Sequence, residues 1–260
     1  MATLQGMAAV TGAGSGLGRA IARKLAADGF AVAAVDLDEA SARETARQIG
    51  ANAAGYGADV TRASELDRAI AAAVTALGPL EVMVNNAGIL DGYFDVDEMD
   101  EMLWRKVIDI DLTGVFLGCK RALREMLPRK RGRIVNMASV AGLNGSGGGA
   151  AYVAAKHGVV GLTRQMAVQY GARGIRVNCV CPGPVQTGLR AHSQAILGPG
   201  VPDMSARGVA VSDEMVRALV PLGMRGTPED VAAAVSFLSS AAAGYVNGHA
   251  LVVDGGWRAK

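Results

Sequence analysis

Cysteine, aromatic residues and a surplus of charge of one sign are all scarce in this chain of 260 residues. Its three cysteines, Cys119, Cys179 and Cys181, are too few for a disulfide framework and lack a second pair of ligands, so they predict buried thiols. The three histidines are scattered, and no metal site is expected. A formal net charge of +2 gives no reason to expect a nucleic acid or an anionic membrane as a partner.

Long apolar runs are also missing from the sequence. No uninterrupted apolar segment is long enough to span a bilayer, and the first ten residues, "MATLQGMAAV", lack the basic-then-apolar order of a signal peptide. The sequence therefore predicts a soluble, cytoplasmic protein. Half of the residues are nevertheless hydrophobic and 35 are glycine, a mixture that suits helices packed closely on a buried parallel sheet.

Apolar, strand-like runs alternate with helix-like stretches along most of the chain, which predicts a parallel sheet with helices on both faces. The segment 188–226 breaks this order because Gly, Pro, Ser and Met occur there without a clean period, and it predicts a substrate-binding loop. No linker or repeat divides the chain, so a single domain over 1–260 is expected. The predicted strands are 7–12, 31–36, 53–60, 81–88, 132–139, 174–183 and 249–256. The predicted helices are 17–28, 38–48, 62–77, 97–127, 150–172 and 227–240.

The first two predicted strands end in residues typical of a dinucleotide site. "TGAGSGLG", residues 11–18, follows the first strand and opens a helix, where glycines let the backbone approach a pyrophosphate at the helix N-terminus. Asp36 ends the second strand, and a carboxylate there accepts hydrogen bonds from ribose hydroxyls and repels a 2′-phosphate. Neither Ser15 nor Leu37 supplies a cation for such a phosphate. The sequence therefore favours NAD over NADP.

Tyr152 and Lys156, in "AAYVAAKHG", lie four residues apart, so both side chains leave the same face of a predicted helix. A lysine in that position favours the ionised form of the phenol and makes acid–base chemistry by the tyrosine accessible. A surface helix with an accidental pair is the alternative at this point.

The segments "TGAGSGLG", "NNAG", "YVAAK" and "PGPVQT", with Ser139 between the second and the third, resemble in this order the motifs of the short-chain dehydrogenase/reductase family. The resemblance covers essentially the whole chain. It implies an α/β fold, with a single Rossmann domain and a doubly wound, seven-stranded parallel sheet. It also implies hydride transfer between a nicotinamide cofactor, here NAD, and a secondary alcohol or its ketone.

The resemblance assigns roles to particular residues. Tyr152 is the general base in alcohol oxidation and the general acid in ketone reduction; Lys156 binds the nicotinamide ribose and lowers the pKa of Tyr152; Ser139 hydrogen-bonds the substrate oxygen. The expected cofactor-binding residues are Gly12, Ser15, Gly16, Leu17, Gly18, Asp36, Leu37, Asp59, Val60, Asn86, Ala87, Gly88, Tyr152, Lys156, Pro182, Gly183, Val185 and Thr187.

Asp111, in "VIDIDLTGVF", departs from the family pattern, which usually has asparagine there to hold a water in a proton relay. An aspartate has no amide N–H to donate, and its charge near Lys156 tends to raise the pKa of that lysine. Three interpretations stay open: a tolerated substitution with a shifted pH profile, a weakened catalyst, or a protein that has given up catalysis. The intact Ser–Tyr–Lys set favours the first, with Asp111 as the relay residue.

The expected substrate is a compact, cyclic or apolar secondary alcohol, diol or ketone. The loop after Thr187 lacks a basic cluster for an acyl-carrier tail, although Arg190 and Arg207 lie within it. A 3-oxoacyl-type reductase and a catalytically weak NAD-binding sensor or scaffold are the alternatives. The resemblance further implies a homotetramer. The expected substrate-binding residues are Ser139, Leu143, Asn144, Tyr152 and Leu189.

Overall fold

The structure is a computed structural model that describes residues 5–201, 203–204, 207–210 and 212–260. The strands in this part of the chain are β1 Met7–Thr11, β2 Ala31–Asp36, β3 Ala53–Gly57, β4 Leu80–Asn85, β5 Gly132–Met137, β6 Ile175–Pro182 and β7 Ala250–Val253. They form one parallel sheet in the order β3-β2-β1-β4-β5-β6-β7. The α-helices are α1 Gly16–Ala27, α2 Glu39–Ile49, α3 Ala63–Leu77, α4 Glu101–Ile108, α5 Gly114–Met126, α6 Ala150–Tyr170, α7 Leu189–Leu197, α8 Asp213–Leu219 and α9 Pro228–Ser239.

Both faces of the sheet are buried, and β1 shows why its sequence is a continuous apolar run. Successive side chains of a strand point to opposite faces. Met7 and Ala9 pack into one hydrophobic cluster, and Ala8 and Val10 pack into the other. Each side of the sheet thus has its own core, covered by helices. The predicted doubly wound, seven-stranded parallel fold is confirmed.

The strand order reverses beside β1, which pairs with β2 on one side and with β4 on the other. In an open parallel sheet, this reversal leaves a crevice outside the carboxyl ends of the strands. The loops that follow β1, β2 and β4 therefore meet at one place, where the sequence carries its glycine-rich turn, Asp36 and "NNAG".

The helix predicted at 97–127 is interrupted. It begins only at Glu101, after the N-cap Asp100, and a π-helical turn at Asp109–Thr113 separates α4 from α5. Such wide turns are rare and occur frequently at functional sites. This one contains Asp111, whose side chain is fully buried. Apolar periodicity continues through the turn, so the sequence pattern did not reveal the interruption.

The segment 188–226 is not a continuous loop, because it contains α7 and α8. These helices have nine and seven residues, too few for a period to emerge from a sequence rich in glycine and proline. Residues 202, 205, 206 and 211 of the segment lie outside the described residues, as do residues 1–4 of the N-terminal segment.

No helix among the described residues is both long enough and apolar enough to cross a membrane. Within the same part of the chain, no group of three or more His, Cys, Asp or Glu side chains is arranged to hold a metal ion. Cys119, Cys179 and Cys181 are free and buried, as predicted. Burial raises the pKa of the Cys119 thiol to about 12, so it stays protonated and behaves as a core residue.

Candidate active site

The glycine-rich turn lets α1 begin almost in contact with the end of β1. Gly12 and Gly16 have φ values of +65° and +47°, in the left-handed region that favours glycine. A Cβ on Gly18 would lie 1.9 Å from the carbonyl oxygen of Gly12, so a side chain cannot be accommodated there. The turn therefore exposes backbone at the N-terminus of α1, where an anionic group is favoured.

Asp36 lies beside this turn, at the end of β2. Its Oδ2 accepts a hydrogen bond from the Gly14 backbone N–H at 2.8 Å, and its Oδ1 accepts one from the Asp38 N–H at 3.0 Å. These two bonds hold the carboxylate next to the crevice. They also link the second strand to the glycine-rich turn, as the sequence interpretation requires.

The "NNAG" segment is fixed to the same turn through Thr11. The Thr11 hydroxyl accepts hydrogen bonds from the backbone N–H groups of Asn86 and Ala87 at 3.0 and 3.1 Å. The Asn86 side chain donates to the Thr11 carbonyl at 2.9 Å. One buried threonine thus sets the distance between the two loops that flank the crevice.

Ser139, Tyr152 and Lys156 converge at the far end of the crevice. Ser139 follows β5, and its hydroxyl accepts a hydrogen bond from the Ala141 N–H at 3.1 Å. Tyr152 and Lys156 lie one turn apart in α6, and the Lys156 Nζ is 5.3 Å from the Tyr152 ring centroid. That ammonium also donates to the Met137 carbonyl at 3.2 Å. All three side chains are more than nine-tenths buried, so an accidental surface pair is excluded.

Asp111 makes a direct, buried ion pair with Lys156. Its Oδ2 lies 3.0 Å from the Lys156 Nζ, and its Oδ1 accepts a hydrogen bond from the Ile89 N–H at 2.8 Å. The pair is packed under Gly88, where a Cβ would lie 3.1 Å from Oδ2 and 3.3 Å from Nζ. The negative charge that the sequence placed near the lysine is therefore in contact with it.

Burial and the neighbouring charges act in opposite directions on Tyr152. Burial raises the pKa of the phenol, Lys156 lowers it, and Asp111 raises it again, so that the pKa stays above its usual value. The lowering by Lys156 that the sequence predicts is present, but burial outweighs it. Burial by itself would lower the pKa of Lys156, yet the adjacent Asp111 and Tyr152 raise it above the ordinary value. Lys156 is thus held in its charged form.

One continuous cleft joins the glycine-rich turn to this cluster. All the residues predicted to bind the cofactor line it, together with Ser139 and Asp111. It is also lined by Ala58, Ile89, Ile110, Met137, Ala138, Gly188, Leu189, His192 and Ile196. Of these, Leu189 is among the expected substrate-binding residues. The three isoleucines come from three separate segments of the chain, so their convergence cannot be predicted from spacing along the sequence.

A second cavity adjoins the cleft, and Ser139 and Tyr152 line both spaces. Leu189 lines both spaces, and Tyr93, Arg190 and Trp257 line the second one. Of the predicted substrate residues, Leu143 packs against the hydrophobic core instead, and Asn144 is outside the linings of both spaces. A residue predicted next to a glycine-rich loop can face either side of it, and the sequence contains no signal for the choice.

Arg190, which the sequence left without a role, fastens the segment after α7. Its guanidinium donates to the backbone carbonyls of Met204 at 3.1 Å and Val209 at 2.9 Å, and also to that of Arg207. The group lies 5.0 Å from the Tyr93 ring centroid. The arginine therefore holds Met204, Arg207 and Val209 near the loop that follows β4.

Comparison with known proteins identifies the family. Residues 12–258 match a family model described as enoyl-(acyl carrier protein) reductase. The chain is 46% identical over 256 residues to 2-(S)-hydroxypropyl-CoM dehydrogenase 3 of Xanthobacter autotrophicus, covering 96% of each. It is 41% identical to cis-4-hydroxycyclohexanecarboxylate dehydrogenase of Sinomonas cyclohexanicum, covering 97% of this chain and 96% of the relative. Among solved structures, levodione reductase superposes with a TM-score of 0.89 at 35% identity, covering 98% of each chain. The chain belongs to the short-chain dehydrogenase/reductase family of oxidoreductases.

Proposed function

We propose that the protein is an NAD(H)-dependent oxidoreductase that interconverts a secondary alcohol and its ketone, with Tyr152 as general acid and base. The observation that carries the proposal is the convergence of Ser139, Tyr152 and Lys156 on the cleft that begins at the glycine-rich turn. Hydride transfer at a carbon–oxygen bond requires an acid–base group beside a dinucleotide-binding site, and this cleft contains residues suited to both.

The residues of the cleft fit a nicotinamide dinucleotide. The position a Cβ would take on Gly16 is free of close contacts, with Thr187 nearest at 3.9 Å, so the turn leaves room for a pyrophosphate. We expect Asp36 and Asp59 to face the adenosine of the cofactor. Lys156 and Thr187 would face its nicotinamide end. When bound, the cofactor supplies or accepts the hydride.

The chain's own residues manage the proton and the substrate oxygen. In alcohol oxidation, the Tyr152 phenolate accepts the hydroxyl proton; in ketone reduction, the phenol returns it to the oxygen. The Ser139 hydroxyl donates a hydrogen bond to the same oxygen and stabilises the charge that develops on it. Lys156 stabilises the phenolate through its positive charge, because its Nζ lies 5.3 Å from the ring centroid.

Asp111 acts through Lys156 and is a positioning residue. Its ion pair keeps the lysine protonated and orients the ammonium, and its charge counteracts the effect of that ammonium on Tyr152. We therefore expect an enzyme whose Tyr152 ionises at a higher pH than in a variant with asparagine at residue 111. This is the tolerated-substitution interpretation of the sequence.

The preference for NAD rests on Asp36. Its carboxylate is fixed by the Gly14 and Asp38 N–H groups, so it cannot turn away from a ribose in the crevice. A 2′-phosphate at that ribose would meet a negative charge. Leu37, the next residue, is 64% exposed and offers no compensating cation.

The substrate is a compact secondary alcohol or ketone, cyclic or apolar. The names of the relatives support this class, since they describe dehydrogenases of a hydroxycyclohexane and of a hydroxypropyl compound. Leu189, Ile196 and Tyr93 supply an apolar wall near Tyr152. The segment 188–226, with α7, is the proposed substrate-binding segment.

A homotetramer is proposed as the assembly. Exposed apolar side chains on the outer faces of α5 and α6, such as Phe116 and Val168, support it because these helices would otherwise present them to water. Sedimentation velocity tests this assembly directly.

The substrate panel tests the proposed activity. NADH formation is followed with cyclohexanol, a 4-hydroxycyclohexanecarboxylate and linear secondary alcohols, and NADP⁺ is run in parallel. We expect turnover on cyclic alcohols with NAD⁺ and at least about 100-fold lower kcat/KM with NADP⁺. Turnover with NADP⁺ alone would refute the Asp36 argument.

A second candidate, a catalytically weak NAD-binding sensor, is favoured by the Asp111–Lys156 pair, which opposes ionisation of Tyr152. Tight NAD binding without turnover on any alcohol, in the wild type and in Asp111→Asn alike, would support it over the enzyme.

A further inference from the structure

Asp91 is a fully buried carboxylate in the loop between β4 and α4, outside the Ser–Tyr–Lys set. It accepts three backbone hydrogen bonds. Its Oδ1 accepts from the Gly149 N–H at 3.0 Å and from the Tyr93 N–H at 3.2 Å, and its Oδ2 accepts from the Tyr152 N–H at 2.9 Å. Hydrogen bonds to a charged group are stronger than neutral ones, so moving this carboxylate away from its three partners would destabilise the structure.

Two of these bonds cap the helix that carries the acid–base pair. The first N–H groups of an α-helix have no partner within the helix. The N-cap residue of α6 is Gly149, which has no side chain to fill this role, and Asp91 takes it over from a position 58 residues earlier in the chain. The arrangement requires glycine, because a Cβ on Gly149 would lie 2.7 Å from the Asp91 Oδ2.

The third bond fixes the wall of the second cavity. Tyr93 has a φ of +58°, an uncommon conformation for a residue with a side chain, and the bond from its N–H to Asp91 holds it there. Its ring lines the cavity and lies against Arg190, which donates to the carbonyls of Met204 and Val209. One carboxylate therefore connects the backbone of Tyr152 with the loop that carries Tyr93.

We propose that Asp91 is a positioning residue, which sets the place of Tyr152 relative to the substrate cavity by capping α6 from the β4–α4 loop and by holding Tyr93 in its left-handed conformation. The consequence for catalysis rests on the proposed function. A displacement of an acid–base group by about 1 Å costs on the order of 100-fold in rate, so loss of the cap reduces kcat more than cofactor binding.

The charge of Asp91 acts in addition to its hydrogen bonds. It raises the pKa of Tyr152, as Asp111 does, while Lys156 and a hydrogen bond with Ser139 lower it. Tyr93 is the further titratable group that interacts electrostatically with Tyr152. In the wild type, three N–H groups bond to the two carboxylate oxygens of Asp91. In Asp91→Asn, only one side-chain oxygen is left as an acceptor, so at least one of the three bonds is lost.

The test compares two variants that disturb the cap in different ways with a control that loses a cap elsewhere. Asp91→Asn removes the charge and an acceptor, whereas Gly149→Ala keeps the carboxylate and displaces it. Asp230→Asn is the control: Asp230 accepts from the Thr227 N–H at 2.7 Å in the capping box of α9, and it lines neither the cleft nor the second cavity.

Three quantities are measured: kcat with a cyclic alcohol, the NADH dissociation constant, and the rate of amide hydrogen exchange over residues 147–156. For both cleft variants, we expect kcat to fall by about 10- to 100-fold, with the NADH dissociation constant changed by less than about 3-fold. Exchange in this segment becomes at least about 10-fold faster. In Asp230→Asn, we expect kcat, the NADH dissociation constant and the exchange rate to stay as in the wild type.

The outcomes separate the two proposals. Faster exchange with an unchanged kcat in both variants would make Asp91 a structural cap only, and unchanged exchange would refute the cap itself. If the wild type turns over no alcohol, the proposed function fails, while the exchange measurement still decides whether Asp91 holds the helix. If Asp91→Asn does not fold, Gly149→Ala carries the same test.

Discussion

Replacement of Asp111 by asparagine removes one buried negative charge from beside Lys156 and near Tyr152. The Asp111 Oδ2 lies 3.0 Å from the Lys156 Nζ, which lies 5.3 Å from the Tyr152 ring centroid. This carboxylate oxygen is therefore at most about 8.3 Å from the ring centroid. At an effective dielectric constant of about 20, a unit charge about 8 Å away contributes on the order of 2 kcal/mol.

The expected sign follows from the direction of this effect. Asp111 raises the pKa of Tyr152, so its removal lowers the pKa of the phenol and makes the phenolate available at lower pH. We expect the acidic limb of the pH profile for alcohol oxidation to move to lower pH in Asp111→Asn. The assay is kcat/KM with saturating NAD⁺, measured across pH.

Asp109→Asn is the matched control, because Asp109 lies in the same π-helical turn and its side chain is exposed. It makes the same chemical change without removing a buried charge, and its profile should match the wild type. A profile of Asp111→Asn that stays in place, or moves to higher pH, would refute the electrostatic reasoning.

Three further predictions follow from single contacts. Asp36→Ala should raise KM for NAD⁺ by about 10-fold or more and reduce the preference for NAD⁺ over NADP⁺, as measured by initial rates with both cofactors. An unchanged ratio of kcat/KM for the two cofactors would contradict the role of the carboxylate. Ser139→Ala should lower kcat by about 100-fold with little change in NADH affinity, and a loss below 3-fold would remove it from the catalytic set. Gly18→Ala should abolish NADH binding or unfold the chain, because the added Cβ would lie 1.9 Å from the Gly12 carbonyl oxygen. Gly161→Ala, within α6, is the control: its added Cβ would have no neighbouring atom within 4 Å, so the melting temperature should stay unchanged or rise slightly.

The fold was predictable because its strands are buried on both faces. Residues 31–36, for instance, form an apolar run with no alternation, and they are β2 as predicted. The short helices α7 and α8 were not predictable, since seven to nine residues contain too few turns for a period to show. The turn at Asp109–Thr113 was hidden for another reason: its i to i+5 hydrogen bonding leaves no mark on the apolar pattern.

Some residues of the candidate site could be predicted from the sequence, and others could not. Gly12, Asp36 and Tyr152 lie at strand ends or at a helical spacing, where chemistry and chain order coincide, and sequence placed them in one cleft. Asp91 was missed because its partners are backbone N–H groups 58 and 61 residues away, which no motif encodes. Leu143 was placed on the wall from its loop, yet its side chain packs towards the core.

Tyr152 is the proposed acid–base group of an NAD-dependent alcohol dehydrogenase. The most direct test is NADH formation from NAD⁺ and a cyclic secondary alcohol by the wild type and by Tyr152→Phe, with NADH binding to both proteins measured alongside. We expect turnover by the wild type, a loss of at least about 1,000-fold in Tyr152→Phe, and NADH affinity within about 3-fold in both proteins. Turnover by Tyr152→Phe at a rate close to the wild type would show that Tyr152 is not this group.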